Sequence, residues 1–166
     1  LLMALVVYHP GDGVAQTVPP QPPAQPLLDE LRDKLTAAPD CQPQCAELAK
    51  LAVLTDGARV QLRMELHALS STMVPLPGKS GQWQPAVVLV DGKPATLRRG
   101  DDGILWLKLD KGVSQVVLDS EVGDSTTVQL GLPMAARAVR TQLKGWTLAG
   151  LDARGLASGS LTLARE

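Results

Sequence analysis

The clearest pattern in the chain is an alternation. In RVQLRMELHAL, residues 59–69, Val60, Leu62, Met64, Leu66 and Ala68 fall on one side, and Arg59, Gln61, Arg63, Glu65 and His67 on the other. A period of two is that of a strand with one face in a core and the other in solvent. Two earlier stretches read differently. In LLDELRDKLTAA (27–38), Leu27, Leu28, Leu31 and Leu35 form one stripe, acidic residues come early, Lys34 comes late, and Pro39 follows. That spacing, the match to the helix dipole and the proline stop predict a helix over 27–38. CQPQCAELAKLAVL (41–54) predicts a second short helix, with Asp40 as its cap and Pro43 in a first turn whose amides need no intrahelical partner. Cys45, Leu48, Ala49, Leu51 and Ala52 would be its buried side, and Asp56-Gly57 its end.

From residue 59 onward, strand-like runs alternate with turn signals. AVVLV (86–90) meets Asp91-Gly92, KPATLRR (93–99) meets GDDG, and ILWLKL (104–109) meets Asp110-Lys111-Gly112. SQVVLDS (114–120) meets Gly123-Asp124, STTVQLGL (125–132) stops at Pro133, and RAVRTQL (137–143) meets Lys144-Gly145. WTLAGL (146–151) and SLTLA (160–164) complete the series. Roughly seven to nine short strands with tight turns predict an antiparallel sandwich or barrel. Strand–helix alternation is missing, which excludes a doubly wound parallel sheet.

Composition changes what the core must be made of. Hydrophobic residues are 45% of the 166, yet aromatics are 2%: Trp83, Trp106, Trp146 and Tyr8, with no Phe. Leu, Val and Ala must fill the interior. The formal charge is −1 with both signs spread along the chain, so there is no basic face of the kind nucleic acid requires.

The N-terminal region points to export. LLMALVV (1–7) is apolar, and Gly13 and Ala15 stand two apart after it, as at a signal-peptidase site. Residues 1–15 are therefore read as a signal-peptide remnant; a short first strand is the alternative. No stretch reaches the roughly 18 apolar residues that a transmembrane helix needs. TVPPQPPAQP (17–26), with five prolines in ten residues, completes an extended tether over 16–26.

Candidate chemistry is sparse. Cys41 and Cys45 are the two cysteines, spaced CxxxC. A structural zinc site needs four ligands, and a thioredoxin-like centre needs CxxC, so a disulfide staple is the favoured reading. Free buried thiols, or a metal or redox role, remain the alternatives. The loop-entropy gain of so short a staple is only about 2 kcal/mol. It would need an oxidising compartment, in agreement with export.

His67 has Ser70 and Ser71 nearby but no GxSxG elbow, so a solvated strand histidine outweighs a triad. Asp91 and Asp101-Asp102 fit hairpin turns better than a calcium loop or a carboxylate dyad. Trp106, with apolar residues around it, is expected in the core. Trp83 and Trp146, each beside a turn, are the candidate exposed indoles on which a sugar could stack, although core or rim packing is the favoured reading for them. No nucleotide, kinase, zinc-protease or other cofactor motif is present.

VVLVDGKPATLRRGDDGILWLKLDKGVSQVVL (87–118) has a strand ending in Asp-Gly-x-Pro, a strand to a Gly turn, and a Lys-Gly step into a closing strand. It resembles the PEGA-type and related immunoglobulin-like β modules of bacterial cell-surface proteins. It departs from them where a second Gly-x-Pro step would precede the closing hairpin. With PDCQPQC, QLGLP and GWTLAGL, the region also resembles the N-terminal part of large exported proteobacterial proteins. Both resemblances imply an extracytoplasmic, non-enzymatic module, and neither brings catalytic residues or a ligand.

The resulting expectation is a mainly β chain: a signal remnant (1–15), a tether (16–26), two short N-terminal helices (27–57) carrying a Cys41–Cys45 staple, and an antiparallel, immunoglobulin-like β-sandwich over 58–166. Its expected role is non-catalytic, with no cofactor and no metal. The expected partner is another cell-envelope protein or a sister domain. The alternative is a carbohydrate- or peptidoglycan-binding module using Trp83 and Trp146.

Overall fold

The computed structural model describes residues 24–37, 41 and 45–166, without the side chain of Ser158. The expected signal remnant (1–15) and most of the expected tether (16–26) lie outside these residues. The chain divides into two compact units, residues 1–38 and 39–166.

The first unit holds one helix, α1 (Gln25–Thr36), which starts two residues before the predicted position. Pro26 sits in its first turn, where a missing N–H costs nothing, so Gln25 and Pro26 belong to the helix rather than to the tether. The Leu27 and Leu28 amides donate to Ala24 O. The leucine stripe forms as expected, but none of its residues is buried.

The second unit is mainly β. Its strands are β1 (Ala46–Asp56), β2 (Arg59–Ala68), β3 (Thr72–Leu76), β4 (Val87–Val90), β5 (Lys93–Pro94), β6 (Leu97–Arg99), β7 (Leu105–Leu109), β8 (Gly112–Glu121), β9 (Thr127–Ala136), β10 (Val139–Gln142), β11 (Trp146–Leu151) and β12 (Ala157–Arg165). A large nine-stranded sheet runs β11-β12-β9-β1-β2-β8-β4-β5, with β10 also on β1, and a small sheet runs β3-β7-β6.

The predicted second helix is a strand. β1 pairs with β2 from Ala46↔Ala68 to Asp56↔Arg59, and Asp56-Gly57, expected as a helix end, opens the hairpin turn, with Gly57 at φ 61°. The helical appearance has a local cause. The ladder slips between Leu48 and Lys50, so the extra residue puts two core side chains, Leu48 and Leu51, three apart. Beyond the bulge, Leu51, Val53 and Thr55 are buried in strand alternation.

Two further boundaries differ. Pro133 lies inside β9 instead of ending it. The β9–β12 register jumps from Leu132↔Gly159 to Ala136↔Ala157, and the proline occupies the break, where no ladder amide is needed. KPATLRR is shared between the sheets, β5 in the large one and β6 in the small one. The pairing is also not wholly antiparallel, because β10 and the end of β9 run parallel to β1.

One cluster of buried side chains joins the two sheets. Val60, Leu62, Leu66, Val116, Leu118, Leu130 and Leu161 of the large sheet meet Val74, Leu76, Leu105 and Leu107 of the small one. Each fully buried leucine stabilises by roughly 1.5–3 kcal/mol. The core is aliphatic, as the composition requires.

Candidate binding surface

Each sheet ends in strands with one unpaired edge, and the edges differ. At one end of the large sheet, β5 has two residues, one of them Pro94, and follows the tight Asp91-Gly92 turn. In the small sheet, β6 is three residues long and carries Arg98 and Arg99, while β3 carries Pro75. Short length, charge and proline are the usual guards against strand addition. At the other end of the large sheet, β11 is six residues, WTLAGL, with neither charge nor proline.

The ladder shows which β11 groups face outward. Glu166 N donates to Gly145 O at 3.1 Å, and Arg165 N donates to Thr126 O at 2.9 Å, so successive residues of β12 bond to β11 and to β9 in turn. Thr147 lies opposite Ala164 and Ala149 opposite Thr162, so these two turn their backbone groups to β12. Trp146 and Leu148 therefore turn theirs outward, and no loop or turn among the described residues bonds to them.

β11 is held firmly from behind. Trp146 is 3% exposed, and its Nε1 donates to Gly57 O at 2.9 Å in the β1–β2 turn. The Arg165 guanidinium lies 4.8 Å from the centre of its ring. Lys144 N donates to the hydroxyl of buried Thr55 at 3.0 Å. Thr147 and Ala149 are exposed, and Leu148 packs against the core.

Trp83 and Trp146 are packed, the reading the sequence favoured over exposed platforms. Trp146 and Trp83 are 3% and 7% exposed, so neither is an open stacking platform. Trp146 points inward because its strand puts it opposite Arg165 over the hairpin turn. The backbone of Trp83 bonds to Gln129 O at 3.2 Å, and its side chain joins the core. Among the described residues its buried Nε1 has no partner, and it lies beside a cleft of about 500 Å³ lined by Gln82, Gln84, Ser120, Ser125 and Gln129. Trp106, expected in the core, is half-buried, because β7 turns Leu105, Leu107 and Leu109 inward and Trp106 the other way. It lines a groove of about 490 Å³ with Met73, Pro75, Pro133 and Met134.

Cys41 and Cys45 form a disulfide with Cα atoms 4.5 Å apart. Cys45 O accepts from Leu69 N at 2.9 Å, and Cys41 Sγ lies 3.5 Å from Ser70 Oγ. The staple thus fixes the start of β1 against the β2–β3 turn, not the start of a helix.

The outer face of β2 is a polar ladder. Lys50 Nζ lies 2.9 Å and His67 Nε2 3.0 Å from the Glu65 carboxylate, and Gln115 Nε2 donates to it at 3.3 Å. The hydrogen bonds from Lys50, His67 and Gln115 hold the Glu65 carboxyl down at about 2. Arg59, at 2.6 Å, keeps Asp119 low, with a further bond from Gln61. His67 is therefore a member of a charged cross-strand ladder. Asp91 Oδ1 accepts from Gln115 N and Asp102 Oδ1 from Ile104 N, both as turn ligands. Among the described residues, no group of three or more His, Cys, Asp or Glu could hold a metal ion.

No family model matches the chain, and no curated protein does. Among solved structures it is similar to an M1 zinc metallopeptidase from Deinococcus radiodurans bound to a Tyr-Ser-Ala substrate. The identity is 11% and the TM-score 0.41, covering 73% of this chain and 39% of that one. A two-domain M1 zinc metallopeptidase bound to L-tryptophan gives 11% and 0.42, covering 77% of this chain and 41% of that one. The chain thus spans well under half of either structure, and no residue role is carried over from them.

Proposed function

We propose that the chain is a non-catalytic, immunoglobulin-like β-sandwich module of the bacterial cell envelope that associates with another protein or a sister domain by strand addition at β11. The observation that carries this reading is the contrast between edges. β3, β5 and β6 are guarded by proline, brevity or arginine, whereas β11 offers the outward backbone of Trp146 and Leu148 with no guard. The Cys41–Cys45 bond supports an oxidising compartment. No helix among the described residues is long and apolar enough to cross a membrane.

Site-specific photocrosslinking in cells that export the chain tests the reading. A crosslinker in place of exposed Thr147 should give a discrete protein adduct, and one in place of Arg98 on β6 should not. Equal labelling from both positions, or none from Thr147, would defeat it.

The glycan reading survives in one altered form. Its platforms are no longer the indoles but the amide and hydroxyl groups lining the cleft at Trp83, whose own N–H is unpartnered. Titration with cell-wall glycans, followed by tryptophan fluorescence, should then give a saturable shift that Gln129→Ala abolishes. A flat titration removes this reading.

A further inference from the structure

We propose that the outer face of the large sheet carries a second binding site, for a carboxylate on a small organic group, with the Arg63 guanidinium as its anchor and Leu54 as its floor. The register sets the site up. Leu51, Val53 and Thr55 of β1 face the core, so Ala52 and Leu54 face outward. β10 and β2 lie on either side of β1. Arg140 and Arg63 therefore flank Ala52, and Gln142 and Gln61 flank Leu54. The Cα atoms of the two arginines are two strand spacings apart, about 10 Å.

Charge singles out Arg63. Lys50, Arg59, Arg137 and Lys144 each meet a carboxylate, from Glu65, Asp119, Glu47 and Asp56 in turn. Arg63 lies opposite Ala52 and Val117, and it forms no ion pair among the described residues. The next outward carboxylate on its own strand, Glu65, is held by Lys50, His67 and Gln115. Arg63 is nonetheless fixed in place. Its Nε donates to Gln61 Oε1 at 2.7 Å, and Gln61 Nε2 donates at 2.6 Å to Asp119, the carboxylate that Arg59 also holds. The terminal nitrogens of Arg63 are left as an oriented pair of donors, the fork that the two oxygens of a carboxylate match.

A pocket of about 220 Å³ opens beside this fork, lined by Leu54, Gln61 and Gln142 and by the cations Arg59, Arg63 and Lys144, with Asp56 as its one carboxylate. Lys144 N donates to Thr55 Oγ1, which fixes the lysine's backbone there. Asp119 compensates Arg59 and Asp56 compensates Lys144, so the charge left over in the pocket is that of Arg63. One uncompensated cation suits a singly charged carboxylate better than a doubly charged phosphate. The small volume admits one residue or one sugar acid, with its carbon atoms on Leu54 and its polar groups within reach of the two glutamines. No β11 residue lines the pocket, so this inference and strand addition can fail separately.

Magnetic resonance titration of the isotope-labelled full chain at constant ionic strength tests the inference. The probes are N-acetyl-alanine, glucuronate, the uncharged N-acetyl-alanine amide and inorganic phosphate. The readouts are Arg63 Nε–H, the Gln61 and Gln142 side-chain amides and the Leu54 amide. Both carboxylates should give saturable shifts at these groups, and the uncharged amide should give none. Arg63→Gln should weaken carboxylate binding by roughly tenfold or more, the scale of one charge-assisted fork. Arg63→Lys should recover only part of it, because a point charge lacks the fork. Arg98→Gln, on the small sheet, should change nothing. Thermal melts establish that each variant is folded. Tighter binding of N-acetyl-alanine identifies a peptide C-terminus as the source of the carboxylate, and tighter binding of glucuronate a sugar acid. Shifts that do not saturate, that the uncharged amide reproduces, or that survive Arg63→Gln overturn the site. Phosphate binding more tightly than both carboxylates overturns its assignment to a carboxylate.

Discussion

Leu31 of α1 and Leu62 of β2 are the same side chain under opposite conditions. Leu62 is fully buried, with β1 and β8 on either side and the small sheet's leucines in the same cluster. Leu31 is 52% exposed, and the whole stripe on α1 shares that state. A periodic apolar face states which side of an element wants to leave water, but only a second layer turns it into stability. Within its own unit, α1 carries local devices: Pro26 in the first turn, the Lys34–Glu30 pair at 3.0 Å, and the Thr36 hydroxyl on Arg32 O.

Substitutions on the two elements should separate accordingly. Leu62→Ala leaves a cavity under two sheets and should cost about 2–5 kcal/mol in denaturant unfolding. A loss below about 1 kcal/mol would mean that the core is looser than this packing implies. On the opposite face, Asp119→Ala leaves Arg59 and Gln61 without their shared acceptor and should cost roughly 1 kcal/mol.

Smaller still is the contribution of Glu65, read as a pH slope. Its folded carboxyl lies at about 2, below its ordinary value, so its stabilisation is complete above the ordinary carboxylate range and fades as pH falls towards 2. Glu65→Gln should flatten that part of a melting-temperature profile by lowering its neutral-pH end, leaving the acid end nearly unchanged. Last, Leu31→Ala should leave the unfolding midpoint of the β unit unchanged to within about 0.5 kcal/mol. A larger shift would show that the stripe acquires a cover in solution.

β2 was readable because nothing interrupts its alternation, and β11 was placed residue for residue from its turn signals. β1 was not, because one bulged residue at Ala49 turned a period of two into a spacing of three, and a window that short favours a helix. β3 was missed: with Pro75 near its middle and only Val74 and Leu76 buried, TMVPL carries little strand signal of its own. Trp106 departs from expectation for a different reason. Apolar neighbours suggest the core, but which way a side chain faces is set by register against strands far along the chain. For Trp106 the deciding partners are Pro75 and Arg98. The same holds for the candidate site. Uncharged WTLAGL is visible in the sequence, but its position at an edge follows only from β12 lying between it and β9.

The bond from Trp146 Nε1 to Gly57 O, with Lys144 N on Thr55 beside it, has a mechanical consequence. It latches the first residues of the last hairpin to the turn of the first. A load applied along β11 does not simply peel that strand from β12; it is passed at once to the β1–β2 turn and from there to the strands at the centre of the sheet. The β11 edge is thus tied directly to the molecule's interior.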